Sequence, residues 1–143
     1  MFCGRRVRFG AYGEPVLIPL NILSAISAVA EGHTGYTHQW RKAEYQGYSA
    51  FLMASCDNAA DYTLARSMEW RTFRVRAEYQ PLLGGEIMCP ASPEGGHKSK
   101  CEKCLLCNGS RQNDGRKSIV IIVHGTGAKN FVAVDSILPA LAA

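Results

Sequence analysis

Residues 50–76, "AFLMASCDNAADYTLARSMEWRTFRVR", contain the strand–helix–strand pattern that decides the fold class. The first part, 50–57, is a continuous apolar run, which is typical of a strand buried on both faces. Asp57 or Asn58 can then cap a helix that follows at once along the chain. The last part, 70–76, alternates apolar and polar residues, so it predicts a second strand with one polar face.

The same alternation of strands and helices extends along the chain on both sides of this unit. Further strands are predicted at 6–13, 34–40, 84–89 and 117–127, and further helices from about 19 to 32 and at 135–143. Such an order implies parallel strands joined by right-handed crossovers. The predicted fold is therefore α/β, either a partial (βα)-barrel or an open, mostly parallel sheet. It carries a cysteine-rich metal or cluster loop, at 89–109, in its C-terminal half.

Composition indicates one globular domain, 1–143. The chain has 143 residues, of which 47% are hydrophobic and 20% charged, and this is enough to build a single core without disulfides. The longest apolar stretch, 15–30, is too short and too interrupted by two prolines to span a bilayer. Because no secretory signal precedes the first predicted strand, we expect a cytoplasmic protein that has no membrane partner and keeps its thiols reduced.

Four of the six cysteines lie within twenty-one residues, "CPASPEGGHKSKCEKCLLCNG", 89–109. The spacing, Cys89-x11-Cys101-x2-Cys104-x2-Cys107, puts three cysteines in consecutive C-x2-C-x2-C register with one remote. This register is closer to the pattern that binds a four-iron, four-sulfur (4Fe-4S) cluster than to the two separate C-x2-C pairs of most structural zinc sites. Zinc stays open as the alternative cofactor, bound by four cysteines or by three with His97.

The net charge of +4 comes entirely from the cysteine-rich part of the chain. Residues 97–117 contain six basic and two acidic side chains, and the remainder is neutral. Four thiolates on zinc, or on an oxidised four-iron cluster, carry a net charge of −2, which nearby lysines compensate. The localised charge therefore gives only weak support for a nucleic-acid partner.

Polar residues follow most of the predicted strands, where the strand-to-helix loops of a parallel sheet open on one edge. Each has a structural alternative: a helix cap for Asp57, a turn residue for Glu14, a half-buried histidine for His38. The arginines of 70–76 fit equally well on the solvated face of an edge strand. The pocket-lining candidates at this edge are Tyr12, Glu14, His38, Asp57, Arg74 and His124.

Five motifs, in this order over about 6–127, carry a resemblance to a known group: "VRFGAYGEP", "GYTHQW", "FLMASCD", "WRTFRV" and "CPAS…C..C.LC.G". Together they resemble a group of uncharacterised bacterial, plasmid and phage proteins that is itself similar to radical S-adenosylmethionine enzymes. The resemblance implies an iron–sulfur protein with a barrel-like sheet, and it implies no substrate. Members of the group look as though they begin with a further cysteine-bearing segment, which this chain lacks. The C-x3-C-x2-C motif of the catalytic cluster is also missing, so the cysteines at 89–107 would hold an auxiliary-type cluster.

Two functional hypotheses remain from the sequence. The first is an iron–sulfur-cluster-binding α/β protein related to radical S-adenosylmethionine proteins, with Cys89, Cys101, Cys104 and Cys107 as ligands. The second is a zinc-stabilised binding module of a mobile-element protein, in which the cysteine loop docks a partner. The pattern assigns no catalytic residue, substrate or partner.

Overall fold

The computed structural model describes residues 1–131, which form an open parallel sheet of six strands with helices. The strands are β1 (Arg6–Phe9), β2 (Gly32–Thr37), β3 (Met53–Cys56), β4 (Thr72–Arg76), β5 (Glu86–Met88) and β6 (Ser118–Ile122). The helices are α1 (Leu20–Val29), α2 (Ala59–Ser67) and the short α3 (Cys101–Cys104), with 3₁₀ turns at Pro15–Leu17, Ala43–Ala50 and Ala128–Asn130. The predicted α/β class and parallel sheet are confirmed. The helix predicted at 135–143 lies outside the described residues.

The order of the strands, β1-β2-β3-β4-β6-β5, reverses direction once. The chain advances across the sheet from β1 to β4 and then passes to the far edge as β5. It finally returns as β6, which fills the gap between β4 and β5. In a right-handed crossover, reversing the direction of travel moves the connection to the opposite face of the sheet. The β5–β6 connection, which contains all four clustered cysteines, should therefore cover the face that α1 and α2 leave free.

Separate hydrophobic clusters on the chain agree with this division. One cluster gathers Leu23 of α1, Ala65 of α2 and the fully buried indoles of Trp40 and Trp70 against β3. The Trp40 Nε1–H donates to the Ser55 carbonyl oxygen at 2.9 Å, so the buried polar end of this ring is satisfied. This helical layer forms the main core of the fold.

The second cluster belongs to the cysteine segment. Met53 of β3 and Ile119 of β6 pack against Cys107, with Tyr36, Phe73, Cys89 and Leu106 around them. Residues 106 and 107 thus belong to a second layer, which packs on the face of the sheet opposite α1 and α2. The cysteine-rich stretch is therefore part of the fold and is packed on the sheet.

Three arginines, Arg71 just before β4 and Arg74 and Arg76 within it, correct one interpretation of the sequence. Arg71, Arg74 and Arg76 have exposures of only 0%, 1% and 9%, so they do not form the solvated face of an edge strand. The reason is that β4 lies in the centre of the sheet, between β3 and β6. Arg74 pairs with the Glu86 carboxylate through two hydrogen bonds, Nε to Oε1 at 2.7 Å and Nη2 to Oε2 at 2.8 Å.

The start of α2 settles which residue caps this helix. Asn58 is the N-cap, and its side-chain Oδ1 accepts a hydrogen bond from the Asp61 backbone N–H at 2.7 Å. Asp57 is therefore free of the capping role that the sequence allowed. Within residues 1–131, no helix has the length and apolar character needed to cross a membrane.

We expect Arg74→Gln to lower the free energy of unfolding by about 3 kcal/mol, because it leaves the fully buried Glu86 carboxylate without its partner. Arg6→Gln is the matched control, since the Arg6–Glu31 pair is exposed and should contribute less than about 1 kcal/mol. Urea denaturation of both variants measures the difference. Equal losses in the two variants would contradict a structural role for the buried pair.

Candidate metal centre

All four clustered cysteines line one cavity on the face of the sheet opposite the main helices. The cavity is small, with a volume of about 20 Å³, and Thr34, Tyr36 and Ile119 form the sheet side of its wall. All four thiols are free of disulfides. Their exposure is graded: Cys107 is buried, Cys89 and Cys104 are partly buried, and Cys101 is exposed. The structure thus gathers the side chains that the spacing predicted as ligands.

Each ligand candidate is placed by a different local structure. Cys89 directly follows β5, and its backbone N–H donates to the Val120 carbonyl of β6 at 2.9 Å. Cys101 and Cys104 are the first and last residues of α3. Cys107 is held to the sheet through its carbonyl oxygen, which accepts from the Gly35 N–H at 3.0 Å. The turn between α3 and Cys107 places Leu105 in the left-handed region, with φ of 51°.

The eleven residues between Cys89 and Cys101 fold into a compact loop. The Cys89 carbonyl accepts hydrogen bonds from the Ser92 N–H at 3.0 Å and from the Ser92 hydroxyl at 2.9 Å. The Ser99 N–H closes the loop on the Pro90 carbonyl at 3.2 Å. A Cβ atom on Gly95 would lie 1.9 Å from the Cys89 carbonyl oxygen, so only glycine allows this approach. The loop returns the chain to the cavity, where Cys101 can join Cys89.

One buried guanidinium fixes the segment around Cys107. Arg71 donates to the carbonyls of Leu106 at 2.8 Å and Gly109 at 3.0 Å through Nη1, and to that of Lys117 at 2.7 Å through Nη2. These carbonyls lie on both sides of Cys107 and at the entry to β6. The sequence pattern did not indicate a role for Arg71 at the cysteines. Its position among apolar and aromatic neighbours just before a strand is the only local signal that could have indicated burial.

An ion pair closes the loop that follows the last cysteine. Asp114 accepts hydrogen bonds from the Arg116 side chain, the closest at 2.6 Å, and lies 4.0 Å from Arg71 Nε. The Arg116 guanidinium holds the pKa of the Asp114 carboxyl well below its usual range. Arg116 also donates to Asn108 Oδ1 at 2.6 Å. Arg116 therefore stabilises the loop that follows Cys107.

Burial governs the protonation of the thiols. It raises the pKa of Cys107 to about 12, partly opposed by a hydrogen bond from the Tyr36 hydroxyl. Burial also raises the pKa of Cys89, partly opposed by a hydrogen bond from the Ala91 backbone. Without a metal these two thiols are neutral at physiological pH. A metal bound here must displace their protons, so metal binding will be coupled to proton release.

Three of the six predicted pocket residues line a wider cleft that adjoins the cavity. Glu14, His38 and His124 lie on its wall, and the cleft shares Tyr36, Cys89 and Cys101 with the cavity. Glu14 Oε2 accepts a hydrogen bond from the His38 backbone N–H at 3.3 Å. The edge of the sheet thus brings these polar side chains next to two cysteines.

The other three predicted pocket residues lie elsewhere. Tyr12 is fully exposed on the loop after β1 and is not part of the cleft wall. Arg74 is buried with Glu86, away from the cleft. Asp57 is half-exposed beside the cleft, with Oδ2 4.0 Å from His38 Nε2.

Two observations bear on a single metal ion. His97, the fourth ligand that a three-cysteine zinc site would need, is exposed and does not line the cavity. Within the described part of the chain, no three His, Cys, Asp or Glu side chains are grouped as the ligands of one ion.

Comparison with known proteins adds no relative: no protein-family model, curated protein or solved structure matches the chain. The resemblance of its motifs to proteins related to radical S-adenosylmethionine enzymes therefore stays a prediction. What the protein does has to be inferred from the cavity and its surroundings.

Gly109 offers a test of how tightly the cysteine segment is packed. Its φ is 81°, and a Cβ there would lie 2.6 Å from backbone atoms of Ala50 and Phe51. We expect Gly109→Ala to lower the free energy of unfolding by about 2 kcal/mol or more, because backbone atoms cannot move aside as a side chain can. Gly115→Ala is the control, since nothing lies within 4 Å of its added methyl group. Thermal and urea unfolding of the two variants should differ clearly, and matching curves would mean that the segment is loosely packed.

Proposed function

We propose that this chain binds a 4Fe-4S cluster through Cys89, Cys101, Cys104 and Cys107, and that it takes part in one-electron chemistry. The observation that carries the proposal is the cavity that all four thiols line. When bound, such a cluster supplies electron transfer at a potential set by its burial, its net charge and the hydrogen bonds to its sulfurs. The chain contributes each of these: the sheet buries Cys107, Tyr36 donates a hydrogen bond to it, and Arg71 places a cation beside it.

The spacing of the cysteines along the chain favours a cluster over a single zinc ion. Zinc binds sulfur at about 2.3 Å, so four thiolates around one ion lie within about 4 Å of one another. The cysteines of a four-iron cluster each bind a different iron atom and so stand further apart around a central volume. The consecutive C-x2-C-x2-C register supports the same choice.

The cleft suggests how such a cluster would be used. A molecule bound against Glu14 and His38 would share a wall with Cys89 and Cys101, two of the four ligands. Electrons would therefore have a short path between that molecule and the cluster. This layout agrees with the proposed relation to radical S-adenosylmethionine proteins and with a cluster of the auxiliary type, since the chain has no C-x3-C-x2-C motif.

Metal content tests the proposal directly. We expect anaerobically purified or reconstituted protein to be brown and to contain about four iron and four sulfide per chain. Electron paramagnetic resonance after reduction should give the signal of a reduced four-iron cluster. Colourless protein with one zinc per chain, after expression with ample iron, would overturn the proposal.

Single cysteine variants identify the ligands. Cys104→Ser should lose most of the iron, whereas Cys3→Ser should keep all of it, because Cys3 is exposed and lies outside the cavity. Equal iron contents in these two variants would show that the cavity is not the binding site.

Limited proteolysis tests whether the cluster holds the outer part of the segment in place. Binding at a site that is absent from the unfolded chain contributes to folding, so Cys104→Ser should open the loop that brings Cys101 to Cys89. We expect trypsin to cut Cys104→Ser rapidly after Lys98, Lys100 and Lys103. Cleavage after Arg111 and Arg116 should stay slow, since Arg71 binds the Gly109 and Lys117 carbonyls on either side of this part without the cluster. Identical cleavage maps for the variant and the loaded parent would contradict a structural role for the cluster.

A further inference from the structure

Positive charge surrounds the exposed end of the cysteine cavity. Cys101 is the exposed thiol of the four, and beside it a groove is lined by Arg6 and Arg8 of β1 together with Glu102. Arg5 and Glu31 extend this groove along the edge of the sheet. Exposed lysines stand on either side of Cys101 in the sequence. We call the following five cations the basic surface: Arg5, Arg6, Arg8, Lys100 and Lys103.

The charge of the basic surface is not neutralised locally. The groove and the adjoining turn of α3 together carry five cations and two carboxylates, Glu31 and Glu102, which leaves a net charge of +3. Within residues 1–131, Arg6 is the only one of the five in a salt bridge, with Glu31 at 2.5 Å. The Arg8 guanidinium instead lies over the Tyr36 ring, 5.8 Å from its centroid, at the wall of the cavity. The positive field therefore extends outward from the place where a thiol reaches solvent.

We propose that the basic surface is the docking site for an acidic one-electron carrier protein. This inference rests on the cluster proposed above. Electron exchange falls steeply with distance, so a carrier must approach the ligand nearest the solvent, and here that ligand is Cys101. Complementary charge around such a point accelerates encounter and orients the partner without a large interface. Electron-transfer complexes are typically small and weak, which suits a compact patch of five cations.

The exchange itself balances simply. One electron leaves the reduced carrier and enters the oxidised cluster, or passes the other way, and no bond is made or broken. The carrier is therefore defined by two properties: a negatively charged face and a centre that changes by one electron. A flavoprotein or a small iron–sulfur protein with an acidic surface has both.

A nucleic acid fits the basic surface less well. A duplex needs a stripe of cations along its phosphates, whereas the basic surface is compact and includes two carboxylates within it. Away from 97–117 the chain has no net charge to lengthen the stripe. The basic surface also lies around an exposed cysteine, which electron transfer to a cluster would require and phosphate binding would not.

The test uses the full chain after its iron content has been measured, with an acidic flavodoxin as the probe. We expect calorimetric binding that weakens about ten-fold between low and high salt, because the contact is electrostatic. Arg5→Glu and Lys103→Glu should each weaken binding about five-fold at low salt and slow reduction of the loaded chain in proportion. Lys42→Glu is the control with the same change of charge. Lys42 is exposed and lies over Tyr45, which packs on the helical cluster, and this variant should bind like the parent.

Each outcome decides the matter. Arg5→Glu leaves the cysteine segment untouched, so it remains informative if Lys103→Glu loses iron. If the iron-loaded protein binds flavodoxin with an affinity that depends neither on salt nor on these substitutions, the docking site is wrong and the cluster proposal is unaffected. A chain without iron overturns both proposals. If a DNA duplex binds more tightly than flavodoxin, and the same two variants abolish that binding, the basic surface is a nucleic-acid site and the proposal is wrong.

Discussion

The Arg71 guanidinium is the contact on which the second layer of this protein depends. A buried irregular segment carries carbonyl groups that no helix or sheet satisfies, and each such group is costly to bury. Arg71 donates to three of them, those of Leu106, Gly109 and Lys117, and so ties the segment to the start of β4 on both sides of Cys107. The buried charge is in turn stabilised by these oxygens and by Asp114 at 4.0 Å. Because the guanidinium and these carbonyl groups satisfy one another, an irregular loop can cover one face of the parallel sheet in place of a helix.

The reversal in strand order explains why the cavity lies on that face. α1 and α2 occupy one side because the chain advances steadily from β1 to β4. The β5–β6 connection travels backward and so crosses on the other side, where the sheet offers Tyr36 and Ile119 as a wall. The carboxyl ends of the strands open beside it, which brings Glu14 and His38 next to Cys89. The cavity and the cleft are thus consequences of one topological step.

The sequence predicted the parts of this arrangement that depend on local pattern. The unit 50–76 gave the parallel α/β class, and the cysteine spacing indicated residues that the fold brings to one cavity. The position of β6 in the sheet could not be predicted from the sequence. An apolar run such as "SIVII" indicates a central strand, but it does not indicate which strands pair with it. The same limit applies to Arg74. The alternation in β4 predicts a polar face. Whether that face contacts water or Glu86 depends on how β4 pairs with strands that come later in the chain.

The graded burial of the four cysteines has a consequence for how the segment folds. Cys107, neutral and buried beside Met53 and Ile119, packs as an ordinary core residue before any metal arrives. Its carbonyl is already held by Gly35 and the carbonyls around it by Arg71. Cys101 and Cys104, on the single turn of α3, have no comparable backbone hydrogen bond to the sheet within residues 1–131. The fold therefore holds the inner cysteine in place, and a cluster bound as proposed would fix the outer two. A metal would complete a site that is half formed, at the end where the chain meets solvent.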